Sequence, residues 1–520
     1  MIEFRNVTFK YPDGTLALDD ISLDIANGEK VAILGNNGSG KTTLALLIDG
    51  ILRPSSGAIR INGCNPNIEA ENKVLRRAVG MVFQNPDNQL VATTVEMEIA
   101  FSLENQMVPH PEIDDRVNET LNYFGLLAQR HRLTSELSGG EKQRLSVAAV
   151  MASRPKILIL DEPGSYLDEL GKKILNGAIL KLKDFVHELT IIRITQYASM
   201  ALDFDRVVLL KNGKIIFDGP PARLFAEADL CARTGIGVPI KYRIEKKIEQ
   251  SGDKIIARDC RMGRVKSIVM DGLSFAYDKS ESFALNIGHL NITDSKIYGM
   301  VGPSGSGKST LIQIMAGLLK PVTGKVEYQG FEPKSGALAV SFQHPEKQFF
   351  LDTVDREIRF GAENLKLSSI DEITENSYRL IGLPKERFSN RDPFTLSGGE
   401  KRRLAFGAIL SLLPSFVLFD EPTSGLDFEG IQLFKKMVRD LSGRGVGIIL
   451  ISHYGDIVFD LAEEVITLKK GQIESIFSRK DFFVTADYSQ FLSIPEVIDY
   501  QMKKWGVIKY HSESELIQYA

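Results

Sequence analysis

The sequence predicts an α/β chain built twice over, as two tandem domains that are each a mixed, largely parallel sheet flanked by helices. Three observations predict it. Apolar strand-like runs lead into glycine-rich loops that open apolar helices, at VAILGNNGSGKTTLALLIDGI and again at KIYGMVGPSGSGKSTLIQIMAGLL. Continuous apolar runs end in acids at KILILDEP and SFVLFDEP, the pattern of strands buried on both faces of a parallel sheet. The same string of motifs then occurs twice in the same order, which is the mark of an internal repeat.

The register of the repeat is regular. Lys41 and Lys308 are 267 positions apart, whereas Gln84 and Gln343, Ser138 and Ser397, and Asp161 and Asp420 are each separated by 259. One net deletion of eight residues between the lysine and the glutamine of the second copy accounts for the difference. The copies also share a tail, with a phenylalanine, an acidic-apolar stretch, an Ile/Val-Pro step and a charged helix-like segment. The expected domains are 1–225 and 267–476. A small extension and linker occupies 226–266, with the connector at about 252–266, and a C-terminal extension occupies 477–520.

Bulk composition narrows the function classes. The chain has 520 residues, enough for about three domains of typical size or two large ones. A net charge of −4 argues against a basic nucleic-acid coat. Cys64, Cys231 and Cys260 lie far apart and form no C-x-x-C pair, so neither a disulfide framework nor a zinc or iron–sulfur site is expected. The opening MIEFRNVTFKYPDG places charges and a turn where a signal peptide needs an apolar run. No stretch reaches the about 18 apolar residues of a spanning helix, so any membrane role is expected to come through a partner.

The loops carry the chemistry. Gly35-Asn36-Asn37-Gly38-Ser39-Gly40-Lys41-Thr42, followed by Thr43, fits the P-loop pattern G-x-x-x-x-G-K-[ST]. So does Gly302-Pro303-Ser304-Gly305-Ser306-Gly307-Lys308-Ser309, followed by Thr310. The glycines let backbone N–H groups turn inward around an anion, and the following helix aims its positive end at it. Lys41 and Lys308 add a cation for the terminal phosphates, and Thr42 and Ser309 offer hydroxyls to Mg²⁺. One such match is a weak signal; two, each between an apolar strand and an apolar helix, point to a pair of nucleotide sites. Asp161 and Asp420 end their strands where they can hold Mg²⁺, and Glu162 and Glu421 follow where a carboxylate can orient or deprotonate water. An Asp-Glu pair alone more often caps and salt-bridges a helix. Placed 120 and 112 positions after the P-loop lysines, it reads as catalytic.

Ser138-Gly139-Gly140-Glu141 and Ser397-Gly398-Gly399-Glu400 have the form of capping boxes. Two glycines in a first helical turn weaken it, and are explained if bare N–H groups must approach a phosphate. At these residues the chain resembles the ABC ATPase family, whose signature LSGGQ appears here with Glu as the last residue in both copies. The resemblance covers about 2–219 and 269–473.

It implies two P-loop nucleoside-triphosphatase domains, each with a helical signature subdomain, paired head to tail around ATP and Mg²⁺. Carried over, one site joins Lys41, Gln84, Asp161 and Glu162 to Ser397 and Gly399; the other joins Lys308, Gln343, Asp420 and Glu421 to Ser138 and Gly140. Gln84 and Gln343 match the glutamine near metal and water, Tyr11 and Tyr277 the adenine-stacking aromatic, and 165–168 and 424–427 the D-loops. A strand-end apolar contact is the plainer role for either tyrosine. The family's histidine near the γ-phosphate is His453 in the second copy, but Gln196 stands there in the first. Glutamine donates a hydrogen bond but has no proton that titrates near neutral pH, so one complete and one weakened site are expected.

VFQNPDNQLVATTVEMEIAFSLEN and SFQHPEKQFFLDTVDREIRFGAEN resemble ATPases of energy-coupling-factor importers of vitamins, other micronutrients and metal ions. That resemblance implies a place at the cytoplasmic face of the membrane. The partners would be an energy-coupling transmembrane subunit and a substrate-binding membrane subunit, with no nucleic acid. The competing classes are a soluble tandem cassette acting on ribosomes or nucleic acid, and the fused ATPase of a sugar importer.

Overall fold

The structure, a computed structural model, describes residues 1–164, 177, 179, 188–245, 266–277, 285–303, 305–333, 336–343, 345–485, 488–509 and 515–516. Ser304, His344, Cys260, the first D-loop segment 165–168 and nearly all of the connector lie outside them. Two compact units divide the chain, Met1–Tyr242 and Arg243–Ala520.

The first unit is organised around a six-stranded sheet. Its strands are β3 (Lys30–Leu34), β5 (Val79–Val82), β6 (Ile157–Asp161), β7 (Thr190–Thr195), β8 (Arg206–Lys211) and β9 (Lys214–Gly219). They run in the order β5-β6-β7-β3-β8-β9. Every pairing is parallel except the β8–β9 hairpin. Every residue of β6 and of β7 is buried, so the unbroken apolar runs are strands covered on both faces. Burying each Ile or Leu of such a strand contributes about 1.5–3 kcal/mol. A separate antiparallel sheet, which the sequence pattern did not signal, runs β2-β1-β4 through Ile2–Lys10 (β1), Leu16–Ile25 (β2) and Ser56–Ile61 (β4). Along β1 only Ile2, Phe4, Val7 and Phe9 are buried, because one face alone meets the core.

The second unit repeats this plan. Its large sheet is built from β12 (Ile297–Val301), β14 (Leu338–Ser341), β15 (Phe416–Asp420), β16 (Gly447–Ile451), β17 (Glu464–Lys469) and β18 (Gln472–Ser478). The order is β14-β15-β16-β12-β17-β18, again parallel but for the last hairpin. The small antiparallel sheet runs β11-β10-β13 through Leu285–Thr293 (β11), Ser267–Phe275 (β10) and Thr323–Gln329 (β13).

Each unit also has a helical layer with its own core. In the first, helices Val95–Asn105, His110–Tyr123 and Gly139–Ala152 bury Ile99, Leu103, Leu121 and Leu145 together. In the second, Val354–Asn364, Ile370–Ile381 and Gly398–Leu410 bury Ile358, Tyr378, Leu404 and Phe406. Further helices follow each β-hairpin: Pro221–Ala226 and Ala228–Thr234 in the first unit, Arg479–Thr485 and Glu496–Trp505 in the second. The order β6-β7-β3 places the ends of three neighbouring strands at Asp161, Thr195 and Leu34, so carboxylate, Gln196 and glycine loop meet at one sheet edge.

Candidate functional site

In the first copy the chain leaves β3 at Gly35, with φ 155°, and re-enters a helix at Lys41 through Gly40, with φ 103°. A Cβ on Gly35 would lie 2.4 Å from Ser39 Oγ and 2.5 Å from the Leu210 carbonyl, so only glycine allows this turn. The result is a concave run of backbone with Lys41 beneath it. Lys41 Nζ donates to the carbonyls of Gly35 and Asn36, both at 2.8 Å. Ser39 Oγ is buried and finds no protein partner among the described residues. The second copy repeats this geometry. Lys308 Nζ donates to Gly302 O at 2.7 Å and Pro303 O at 2.9 Å, and Ser306 Oγ is buried without a partner among the described residues. Orphaned buried hydroxyls inside a nest of amides leave hydrogen-bonding capacity that an anion satisfies.

The acids sit opposite. Thr42 Oγ1 donates to Asp161 Oδ2 at 3.0 Å, and Ser309 makes the matching contact to Asp420. Burial pushes both aspartates up from the ordinary carboxylate range; the hydroxyl bond and the nearby lysine oppose that shift. A divalent cation would relieve that penalty. Among the described residues no three His, Cys, Asp or Glu side chains cluster to cage a metal. The paired hydroxyl and carboxylate of each copy would suit Mg²⁺, a hard ion that keeps waters and phosphate oxygens and needs few protein ligands.

Glu162 and Glu421 follow with φ 45° and 49°, left-handed values that turn the chain sharply off the strand. In the first copy Gln84 Nε2 donates to Glu162 Oε2 at 3.3 Å. In the second, His453 Nε2 stands 3.2 Å from Glu421 Oε1, and the His453 N–H donates to Glu421 Oε2 at 3.4 Å. A cavity of about 400 Å³ opens there, lined by Tyr277, Lys308, Ser309, Gln343, Asp420 and Glu421 among others, with His453 also at its wall. Tyr11 and Tyr277 stand at each rim, their hydroxyls 3.0 Å from Thr43 Oγ1 and Thr310 Oγ1. The structure thus brings each copy's P-loop, Asp-Glu pair, glutamine and rim tyrosine to one sheet edge. Gln196 is buried at the His453 position of the first copy, and its Oε1 has no partner among the described residues.

Ser138 and Ser397 cap separate helices. Each accepts from the amide three residues on, at 3.3 Å, while Glu141 or Glu400 accepts from the serine's own N–H at 2.9 or 2.8 Å. Glutamate at the last signature position therefore closes a capping box in both copies.

Two features escaped the sequence reading. Arg402 is buried and donates to the Glu421 carbonyl at 3.2 Å and the Gln343 carbonyl at 2.7 Å, tying the signature helix to the backbone of both residues. The first copy has Gln143 there, and its amide makes no hydrogen bond among the described residues. The signal was the single change from EKQR to EKRR. Buried Glu98 and Glu357 pin the segments after the glutamines. Glu98 accepts from the Val91 and Ala92 amides at 2.9 and 2.7 Å, and Glu357 accepts from those of Phe350 and Leu351 at 2.6 Å.

The ABC transporter family matches residues 18–165 and 285–424. A candidate ABC transporter ATP-binding protein of Caldanaerobacter subterraneus is 32% identical across 92% of this chain and 91% of its own length. The solved structure of cbiO1 from Clostridium perfringens, described as part of the ABC transporter complex cbiONQ, covers 47% of this chain and 98% of its own. Its identity is 34% and its TM-score 0.41. RNase-L inhibitor covers 98% of this chain and all of its own at 19% identity with a TM-score of 0.65, a likeness of fold alone.

Proposed function

The chain belongs to the ABC transporter family as a tandem-domain ATPase that binds ATP, and from that premise we propose that it energises an importer of the energy-coupling-factor type. The observation that carries this reading is apolar surface beside both glutamine loops. Val91 is 68% exposed in the first unit, with Met97 and Phe101 of the following helix also outward. Phe350 is 62% exposed in the second, its ring 4.7 Å from the exposed Phe360. Patches of this kind mark interaction sites. The pinning of these loops by Glu98 and Glu357 gives each patch a fixed shape for a helix of a membrane subunit to enter. No described helix is long and apolar enough to cross a membrane, so the chain would reach the cytoplasmic face of the membrane through its partners.

The chemistry proposed for each copy follows from its side chains. P-loop amides with Lys41 or Lys308 hold the phosphates, and Tyr11 or Tyr277 meets the base. Thr42 with Asp161, and Ser309 with Asp420, would hold Mg²⁺, with Gln84 and Gln343 beside it. Mg²⁺ there neutralises charge on the phosphate oxygens. Glu162 and Glu421 orient and accept a proton from the attacking water, with His453 steadying Glu421. We assign Ser138 and Ser397, with Gly140 and Gly399, to phosphate contacts as the two cassettes pair.

Charge reversals near Gln89 and Gln348 test the transporter reading. Transport by the assembled complex is expected to fall while ATPase activity of the free chain is retained. Crosslinks from 85–92 and 345–351 that reach ribosomal proteins or RNA, and no membrane protein, would reject it.

A further inference from the structure

The helices after β18 do more than extend the second unit. Phe482, Phe483 and Leu492 are buried, and Phe483 packs edge-on against Phe459 at 5.2 Å. Phe459 lies on the helix Gly455–Leu461, which begins two residues after His453. Arg479 Nη1 also donates to the Phe459 carbonyl at 3.0 Å. The extension is thus fixed to the helix that follows the histidine.

Its tightest contact falls on the histidine loop. The Ser493 N–H donates to the His453 carbonyl at 3.0 Å. The Gly455 N–H donates to Ser493 Oγ at 2.7 Å, and the Glu496 N–H donates to Asp456 Oδ1 at 2.8 Å. The approach is so close that a Cβ on Gly455 would lie 1.9 Å from the Ser493 carbonyl oxygen and 3.0 Å from Pro495 Cδ. Glycine at 455 and a hydroxyl at 493 are both needed for this contact. The first copy has neither: Ala198 stands for Gly455 and Gly237 for Ser493, beside Gln196 in place of His453. The three differences occur together.

We infer that Ser493 is a positioning residue for ATP hydrolysis, and that the C-terminal extension is a clamp holding the His453 loop in register with Glu421. The inference rests on the reading of His453 as the group that steadies Glu421. Hydrogen bonds at the histidine's own carbonyl and at the Gly455 N–H two residues on restrict where its ring can stand, and the 3.2 Å approach of Nε2 to Glu421 depends on that placement. Without the Ser493 hydroxyl the loop keeps its sequence but loses one of its anchors.

The test is steady-state ATPase of the full chain carrying Ser493→Ala, His453→Ala or both, with ATP as substrate and thermal melting alongside. Loss of one neutral hydrogen bond corresponds to about a fivefold effect. Ser493→Ala is expected to lower kcat by about that factor with KM for ATP unchanged, and Ser493→Thr, which keeps the hydroxyl, to restore it. In the His453→Ala background Ser493→Ala is expected to cause no further loss. Gly455→Ala, which drives the extension off the loop, is expected to reproduce the kcat loss should Ser493→Ala melt below the assay temperature. Wild-type kcat in Ser493→Ala, or the same loss with and without His453, overturns the clamp. Wild-type kcat in His453→Ala overturns the reading of the histidine itself.

Discussion

Replacing Glu421 with glutamine keeps the shape of the side chain and removes the carboxylate that faces His453 at 3.2 Å. A positioned general base is worth about 10²–10⁴ in rate, equivalent to about 3–5 kcal/mol of barrier. Glu421 is buried, and Arg402 fixes its carbonyl at 3.2 Å, so in Glu421→Gln the new amide is expected to occupy the same place and the full chemical loss to show. Glu162 has a different setting. Gln84 donates to it at 3.3 Å, no histidine stands at position 196, and Gln143 replaces the arginine. The first site is therefore expected to start from a lower rate, and Glu162→Gln to reduce total turnover by about tenfold or less. The assay is steady-state ATP hydrolysis by the two single mutants at saturating Mg·ATP. Equal losses would reject functional asymmetry, and a larger loss from Glu162→Gln would invert the assignment of the stronger site. Gln196→His provides the converse, with a rate expected to hold or rise.

Lys41→Ala and Lys308→Ala each remove the cation seated under one phosphate loop; each is expected to halve the nucleotide bound, and calorimetric binding of Mg·ATP by the double mutant would refute the assignment. Arg402→Gln installs the first copy's residue and removes two charged hydrogen bonds; kcat is expected to fall about tenfold with KM for ATP little changed, and a change confined to KM would show that Arg402 acts on binding instead. Asp49, just beyond the helix Lys41–Ile48, is raised by burial to about 7, opposed by Arg76. Its protonated form favours the folded state, an advantage complete below the unfolded value near 3.8 and lost as pH rises through about 7. Asp49→Ala, the residue found at the matching Ala316, is therefore expected to stabilise the first unit by about 4 kcal/mol at pH 8 and by less than half of that at pH 5; equal shifts in melting temperature at both pH values would show that the carboxylate is not the cause.

The phosphate loops were legible because their chemistry is local: glycine spacing, a lysine and a hydroxyl lie within eight residues, and the neighbouring strands are apolar throughout. The large sheets were legible for the same reason, since burial on both faces leaves an unbroken apolar run. The three-stranded sheets were not, because β1 and β4 are far apart in sequence and one face alone is buried. Their pairing of Ile2 with both Ile25 and Ile61 is visible only in three dimensions. The duplication carries more than any single position shows. A difference between copies at one position is ambiguous, as with Gln196 and His453. Structure shows that Gln143, Ala198 and Gly237 differ from Arg402, Gly455 and Ser493, and that the second-copy residues touch either Glu421 or the His453 loop. These three differences, far apart in sequence, thus fall at one site. A chain with one fully equipped site and one reduced site would differ at these positions, and the paired glutamate mutants measure that difference directly.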